Sequence, residues 1–381
     1  MNRVDVLVVG GGPAGASAAL TLARLGKTVL VIERSHYRDW RPGESLSPRA
    51  TAALGELGVL DRFAALDPVA SYGIRACWGD PRPYSIEFIF DAYGTGYQVD
   101  RPRFDAMLAD ACADAGATLL PGTCLVGLER RDGGWRATVS GAGRLRAVAT
   151  RSLVDASGRN AVVARSVGAR RRRYDRLIGV VAILDAAPAS DVEATLLLEA
   201  VETGWWYSAP VAQSRIAVAY MTDTDLLGDA PLSARAFAER LVAAPSTAAR
   251  VKSLRVRALH VRPAVTARID RAAGDRWLAV GDAGEAYDPL SGIGLTKALT
   301  SGQRAGRALA SALDGETDAL PRFAAETAAS FRLYLEQRGD YYTREQRWVD
   351  SPFWRRRSRL ASPRGRRPGS VPAGGRRSPR G

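Results

Sequence analysis

The sequence predicts an α/β fold that opens with a Rossmann-like βαβ unit, carries an inserted sheet-dominated domain and closes in helices. Residues 5–10 (DVLVVG) are a short apolar run typical of a buried strand, residues 14–25 form a helix stopped by Gly26, and residues 28–33 form a second strand. Strand-like segments then dominate up to residue 221, and helical patterns return at 293–313 and 318–349.

Length and composition favour two closely joined domains. The chain has 381 residues and 46% hydrophobic content, enough for a large core that also encloses a ligand pocket. No run of 18 apolar residues occurs, and the N-terminus enters a strand without the pattern of a signal peptide, so we expect a soluble cytoplasmic protein with no membrane partner. Three scattered cysteines and two histidines predict neither disulfides nor a metal site.

The net charge of +14 is concentrated at the C-terminus. Residues 355–381 contain ten arginines and no acids, which leaves 44 basic and 40 acidic residues, or +4, for residues 1–354. This Arg-, Pro-, Gly- and Ser-rich segment lacks apolar periodicity, so we expect a disordered tail rather than a nucleic-acid-binding surface.

The first βαβ unit carries the spacing GxGxxG. The first glycine permits a tight turn, the second lets the backbone approach a pyrophosphate, and the third allows close helix packing, while the helix N-terminus stabilises negative charge. Glu33, at the end of the second strand, can accept hydrogen bonds from a ribose. The binding residues predicted here are Gly10, Gly12, Pro13, Ala14, Gly15, Glu33 and Arg34.

A second segment, residues 277–302, has a strand ending in Gly281-Asp282, a loop containing Pro289, and a helix start at Gly292–Gly294. An aspartate at a strand end can bind hydroxyl groups, and a helix N-terminus can stabilise negative charge on a reduced cofactor.

The two motifs in this order resemble those of glutathione-reductase-type FAD hydroxylases and halogenases. The resemblance implies a glutathione-reductase-type fold with FAD as the cofactor, and it places Asp282 on the ribityl chain of the flavin. It also adds Arg41, Glu44 and Ser45, from a GES segment beside the isoalloxazine, and Arg101 near the cofactor. A turn with surface charge is the alternative interpretation of Glu44, Ser45 and Arg101.

Four features narrow the resemblance to one subgroup of these flavoproteins. Ser157-Gly158 stands where single-component hydroxylases carry an Asp-Gly pair tied to NADPH use, which favours reduced flavin supplied through a separate NAD(P)H reductase. Residues 204–210 (GWWYSAP) are a degraded form of the halogenase signature GWxWxIP, and no lysine lies at residues 71–80, where halogenases place an essential one. Residues 334–357 resemble the end of the halogenase-like flavoproteins that mature tryptophylquinone enzymes.

The aromatic residues have a structural and a functional interpretation. Trp205, Trp206 and Tyr207 are candidates for the wall between flavin and substrate, although aromatic residues in sheets are usually core. His260 and Cys77 are at most pocket candidates. The aromatic residues 348, 353 and 354 are expected to dock the terminal helix.

The predicted domains are an FAD-binding domain (1–70, 99–165 and 258–317), a substrate domain (71–98 and 166–257), a C-terminal helical segment (318–354) and the tail (355–381). The resemblance implies that reduced FAD reacts with O2 to give C4a-hydroperoxyflavin, which hydroxylates an electron-rich ring of a small molecule or of tryptophan in a peptide or protein. The alternatives are a halogenase, a geranylgeranyl-reductase-like enzyme and a non-catalytic maturation chaperone. No catalytic side chain is assigned.

Overall fold

The computed structural model describes residues 3–185, 194–212, 215–228, 233–252 and 254–361. Its α-helices are α1 Pro13–Arg24, α2 Arg49–Glu56, α3 Leu60–Ala64, α4 Arg101–Asp114, α5 Val162–Ser166, α6 Ala234–Leu241, α7 Pro245–Val251, α8 Gly294–Leu313, α9 Ala319–Thr343 and α10 Pro352–Ala361. Its strands are β1 Arg3–Val9, β2 Val29–Glu33, β3 Ser45–Leu46, β4 Val69–Ser71, β5 Gly73–Cys77, β6 Tyr84–Glu87, β7 Gly96–Gln98, β8 Thr118–Pro121, β9 Thr123–Arg131, β10 Gly134–Gly141, β11 Arg144–Asp155, β12 Arg171–Arg173, β13 Leu177–Asp185, β14 Leu196–Val201, β15 Gly204–Ala212, β16 Arg215–Asp223, β17 Arg255–Pro263, β18 Ala267–Ile269, β19 Ala273–Gly274, β20 Trp277–Ala279 and β21 Glu285–Ala286.

The first sheet confirms the predicted βαβ unit and α/β class. Its order is β19-β20-β11-β1-β2-β8, and β8, β2, β1, β11 and β20 run parallel, while β9 and β10 extend β11 as an antiparallel meander. The central strands β1 and β2 are mostly apolar because α1, α4 and α8 cover one face of them, and α5 with the β9–β10 meander covers the other. Their carboxyl ends lie along one edge, which is where open α/β sheets bind ligands.

Helices α1 and α8 cross at very short distance. A Cβ on Gly302 would lie 2.3 Å from the Ala14 carbonyl oxygen, and one on Gly306 would lie 2.7 Å from Cβ of Thr21. The two glycines are four residues apart and therefore share one face of α8. This face sets the position of α8 on α1.

The second sheet contains the strands predicted for the inserted domain, in the order β17-β13-β16-β15-β14-β5-β6. Helices α6 and α7 cover one face through Phe237 and Val251. Aromatic residues from α9 and α10 cover the other face. Strand β17 pairs with β13 up to Pro263, so the sheet includes residues that the sequence placed in the FAD-binding segment starting at 258. The remaining domain boundaries stay predictions.

The C-terminal region differs from the sequence prediction. The helix predicted over 318–349 ends at Thr343, and a further helix, α10, covers residues predicted to begin the disordered tail at 355. Residues 362–381 of the predicted tail lie outside the described residues. As predicted, Phe353 and Trp354 dock the segment, and the Trp354 indole N–H donates to the Val201 carbonyl oxygen at 3.0 Å.

Arg357 explains why α10 forms despite its arginines. Its side chain is 1% exposed, lies 3.5 Å from the Phe353 ring centroid, and donates from Nη2 to Asp223 Oδ1 at 2.8 Å. Arg356 pairs with the same carboxylate at 2.9 Å. Burial alone would raise the pKa of Asp223, but these two guanidinium groups lower it. The composition of the segment could not show that two of its arginines have buried partners.

No described helix has the length and apolarity needed to cross a membrane. Among the residues described, no group of three or more His, Cys, Asp or Glu side chains could hold a metal ion.

We expect Arg357→Met to lower the free energy of unfolding by about 3 kcal/mol, because it removes one partner of a buried ion pair. Arg355→Met is the matched control, since Arg355 is exposed, and it should change stability by less than about 0.5 kcal/mol. Because the pKa of Asp223 is lowered, the wild-type advantage should be present above the ordinary aspartate pKa and be lost as the pH falls through the lowered value. Equal denaturation midpoints for the two variants would contradict the buried ion pair.

Candidate functional site

The ends of four parallel strands meet at one edge of the first sheet. The Gly10 N–H donates to the Ile32 carbonyl oxygen at 2.8 Å, and the Ala156 N–H donates to that of Val9 at 2.9 Å. The Val280 N–H donates to the Asp155 carbonyl oxygen at 2.9 Å. The fold therefore brings the GxGxxG turn, Glu33 and Gly281-Asp282 to the same edge.

The three glycines of the turn have the geometry that their spacing predicts. Gly10 has φ +108°, and a Cβ there would lie 2.2 Å from the Ala156 carbonyl oxygen. A Cβ on Gly15 would lie 1.9 Å from the Gly10 carbonyl oxygen, so only glycine allows this approach. Gly12 differs, because a Cβ there would meet no atom within 4 Å. The space beside Gly12 is open to a ligand.

Glu33 is fixed with its carboxylate toward this turn. Oε2 accepts from the Gly11 N–H at 2.8 Å, and Oε1 accepts from the Ser35 hydroxyl at 2.7 Å and from Arg41 Nη2 at 2.9 Å. Burial would raise the pKa of Glu33, but these hydrogen bonds and the Arg41 charge lower it, which keeps the group ionised as an acceptor. Arg34, by contrast, is exposed.

Arg101 holds the loop that precedes the GES segment. Its guanidinium makes two hydrogen bonds to Asp105, at 3.1 and 3.0 Å, and donates to the Pro42 carbonyl oxygen at 2.7 Å. Arg41 lies 3.6 Å from the same Asp105 carboxylate. Asp105 therefore orders both predicted arginines. Asp105 is not among the residues predicted from the sequence, although its i, i+4 spacing from Arg101 at the start of a helix was a signal for it.

The GES segment lies at the junction with the second sheet. Ser45 donates from its hydroxyl to Gln98 Oε1 at 2.7 Å, which ties β3 to β7. Glu44 is 2% exposed and accepts from the Gly43 N–H at 3.0 Å. Burial raises the pKa of Glu44.

Asp282 carries a lowered pKa. Its Oδ1 lies 3.2 Å from Lys297 Nζ and its Oδ2 lies 3.3 Å from Arg159 Nε. Burial would raise this pKa, but the charges of Lys297, Arg159 and Arg171 lower it. The carboxylate keeps 38% exposure and so retains surface for a hydroxyl ligand. Lys297 also lies 4.3 Å from the Tyr287 ring centroid, and only the structure shows that it belongs to this site.

The loop from Asp282 to α8 ends in a helix N-terminus that no side chain caps. Pro289 opens a 3-10 turn that Asp288 caps, because Asp288 Oδ1 accepts from the Leu290 N–H at 3.0 Å. Gly292 has φ +63°, and a Cβ on either Gly292 or Gly294 would meet nothing within 4 Å.

The N-terminus of α1 also lacks a side-chain cap. Two uncapped helix N-termini, open glycines and an ionised acceptor fit an anionic dinucleotide of the FAD type. The α1 turn and Glu33 would hold its pyrophosphate and ribose, while Asp282 and the α8 N-terminus would hold the flavin half.

Ser157 has a structural role at the end of β11. Its hydroxyl donates to Asp155 Oδ1 at 2.5 Å and accepts from the Val162 N–H at 2.7 Å. The buried Asp155 also accepts from the Ala164 N–H at 2.8 Å. Ser157 is thus engaged within the fold.

The aromatic residues of β15 separate onto two faces of the second sheet. Trp205 and Trp206 are both 0% exposed. Trp205 donates to the Tyr342 hydroxyl at 3.0 Å on the face that α9 and α10 cover, which we call the inner face. Trp206 packs on Phe237 at the opposite face and so cannot border an inner-face pocket. Tyr207, which is partly exposed, shares the inner face with Trp205. Successive side chains of a strand point to opposite faces, which predicts this split. The three residues predicted for the pocket wall did not take this alternation into account.

Comparisons with known proteins agree with this geometry. Residues 3–329 match the family model described as FAD binding domain. LodB of Marinomonas mediterranea, named as an FAD-dependent oxidoreductase, is 31% identical over 363 residues, which cover 94% of this chain and 97% of LodB.

Two solved structures share the fold. The flavin-dependent halogenase CmlS has a TM-score of 0.83 at 25% identity, with 94% of this chain and 68% of that chain covered. The peptidyl tryptophan dihydroxylase QhpG has a TM-score of 0.75 at 24% identity, with 94% and 79% covered. These matches confirm the predicted FAD-binding fold.

We expect Gly12→Ala to weaken FAD binding by on the order of tenfold or more, because its methyl group would occupy the space through which a pyrophosphate approaches the backbone. The substitution should leave the ligand-free fold intact, since nothing lies within 4 Å of the new Cβ. Gly55→Ala, in α2, is a matched control with equally free space. Titration of the apoproteins with FAD, followed by flavin fluorescence, measures both. Equal affinities would show that Gly12 does not border the cofactor.

Proposed function

Because the chain belongs to the FAD-binding domain family and is an FAD-dependent oxidoreductase, we propose that it hydroxylates an electron-rich aromatic group with O2. The observation that carries the proposal is a flavin-type site of halogenase-like architecture without the halogenase lysine. The aromatic group belongs to a small molecule or to a tryptophan in a peptide or protein client.

The three lysines of the chain support the choice of hydroxylation over halogenation. Lys27 forms an ion pair with Asp314, Lys297 lies beside Asp282, and Lys252 follows α7. Residues 71–80 form β5 and its flanks without a lysine. A halogenase uses an amine there, and arginine cannot replace it because guanidinium stays protonated.

The bound cofactor, once reduced, supplies the electrons that activate O2 for oxygen transfer to the ring. The chain contributes binding and orientation. Asp282, Lys297 and Arg159 form a charged cluster on the flavin half of the site, and the inner face of β15 presents Tyr207 toward the junction between the sheets. Buried aromatic residues around that junction would exclude water from the space where the ring reacts.

The electron donor in this proposal is a separate NAD(P)H-dependent flavin reductase. Ser157-Gly158 supports it, because this pair stands where single-component hydroxylases carry the Asp-Gly pair tied to NADPH use.

A halogenase is the second candidate, since CmlS shares 25% identity and the fold over most of this chain. The similarity to QhpG, at 24% identity, supports a shared fold but not, by itself, a shared activity. In the halogenase case, product formation would depend on bromide or chloride.

The test is mass spectrometry of products formed from tryptophan, tryptophan-containing peptides and phenols. The FAD-loaded protein is supplied with NADH, a flavin reductase and 18O2. We expect a mass gain that reports one 18O atom per oxidation, with no dependence on halide. Reactions without the protein or under 16O2 are the controls. A halide-dependent mass gain would establish halogenation instead, and an unchanged mass for every substrate with intact FAD would refute the proposed oxygenation.

A further inference from the structure

Glu44, at the junction of the two sheets, has one buried carboxylate oxygen with no hydrogen bond of normal geometry to the described residues. Glu44 Oε2 accepts from the Gly43 N–H at 3.0 Å, whereas Oε1 has no hydrogen-bond partner within the described part of the chain. The residue is 2% exposed, so water does not readily solvate this oxygen. Leaving a buried acceptor unsatisfied is costly, and such an atom in a native protein calls for a ligand or another explanation.

The surroundings of Oε1 are aromatic and come from both halves of the molecule. A hydrogen-bonding contribution from the Trp40 side chain lowers the pKa of Glu44, so the indole lies beside the carboxylate. Its N–H is a buried donor that reaches no acceptor at normal hydrogen-bonding geometry among the described residues. Tyr207 of β15 packs against the same apolar cluster as Trp40, and burial followed by the Glu44 charge raises the pKa of Tyr207. We call Trp40, Glu44 and Tyr207 the Glu44 cluster.

The second sheet holds the cluster in place. The Trp40 ring stacks on His260 of β17, with centroids 4.9 Å apart and an interplanar angle of 16°. Arg262 lies 6.0 Å from the centroid of the Trp40 ring. The predicted flavin loop and the predicted substrate sheet therefore meet at this cluster.

No cation in the described residues neutralises Glu44. The guanidinium whose charge acts on it, that of Arg101, is occupied by Asp105 and by the Pro42 carbonyl oxygen. An acceptor-only carboxylate oxygen between aromatic rings is complementary to a ring that carries its own N–H or O–H donor.

We propose that Glu44 Oε1 accepts a hydrogen bond from the ring N–H or O–H of the aromatic substrate and takes up that proton as the ring is oxidised. This inference rests on the proposed function and names its substrate class, a phenol or an N-unsubstituted indole. It assigns Glu44 to the substrate side rather than to the predicted cofactor-binding set.

The oxidation balances as follows. One atom of O2 forms a C–O bond to the ring, the other leaves as water, and reduced FAD supplies two electrons. As the C–O bond forms, the N–H or O–H bond breaks and its proton moves to Glu44. The oxidised ring carbon then loses its hydrogen as a proton, which is consumed in forming the water, and the ring nitrogen or oxygen regains a proton from Glu44.

The pH dependence follows from the groups that face Glu44. These are Arg101 on α4, Tyr207 on β15, and, behind Trp40, His260 and Arg262 on β17. Burial outweighs the Arg101 charge and raises the pKa of Glu44. Since the ionised carboxylate is the better acceptor, affinity for a donor-bearing ring should rise as the pH increases through that raised pKa.

The experiment uses FAD-loaded protein and two probe pairs, indole with 1-methylindole and phenol with anisole. Binding is followed by the change in flavin absorbance. We expect the wild type to bind each donor-bearing probe about tenfold or more tightly than its methylated partner, with an affinity that rises with pH. Glu44→Gln should reduce that ratio and abolish the pH dependence, while FAD affinity stays unchanged.

Glu199→Gln is the matched control. Glu199 is also buried, but its carboxylate is fully used by the N–H groups of Ser246 and Thr247 and by the Thr247 hydroxyl, so probe discrimination should stay as in the wild type. The inference is overturned if the wild type does not discriminate within the pairs, or if Glu44→Gln lowers FAD affinity and leaves discrimination intact. If Glu44→Gln does not retain FAD, the wild-type protein provides the test. Indole affinity that rises with pH supports the inference, and affinity that does not change with pH overturns it.

The two proposals fail in different ways. Discrimination that depends on Glu44, without 18O incorporation into any product, would refute the reaction and keep the binding site. Oxygen incorporation with the same KM and pH profile in wild type and Glu44→Gln would keep the reaction and refute the role of Glu44.

Discussion

The close crossing of α1 and α8 is the contact on which the site depends. Glycine at 302 and 306 lets α8 approach the backbone of α1, and a Cβ on Gly281 would lie 2.8 Å from that of Ala14. Any larger residue would separate the two helices. The crossing brings the α8 N-terminus and Asp282 to the edge of the sheet where the α1 turn already lies. Two segments that are distant in sequence thereby meet at one edge, where we propose that they form one dinucleotide site.

A buried charge network then joins this site to the rest of the molecule. Asp288, in the loop before α8, accepts from Arg338 Nε at 3.0 Å and from the Tyr342 hydroxyl at 2.9 Å. Arg338 also pairs with Asp175, and Tyr342 accepts from Trp205. Because all these groups are buried, removing one would leave an unpaired charge or donor. The network fixes the flavin loop relative to α9 and the second sheet.

The two sides of the junction differ in electrostatic character. On the flavin half, the charges of Lys297, Arg159 and Arg171 hold the pKa of Asp282 low, so that carboxylate stays ionised. At the Glu44 cluster, burial dominates and the pKa of Glu44 is raised. The pKa is thus lowered for the carboxylate on the flavin half and raised for the one at the junction, which suits the first to cofactor binding and the second to the proton transfer that we propose.

The sequence by itself determined the α/β class, the βαβ unit and most elements of both sheets, because these follow from local apolar periodicity and glycine spacing. Both motifs are continuous in sequence, so their resemblance to those of FAD hydroxylases and halogenases already indicated the FAD-binding family that the family model shows. Only the tertiary structure placed Lys297 beside Asp282, Asp105 between two arginines, and Trp206 on the far face of its sheet. It likewise made α10 a docked helix where composition predicted a tail, because the buried partner of Arg357 is 134 residues away in the chain. Such partners depend on long-range contacts, which local patterns do not encode.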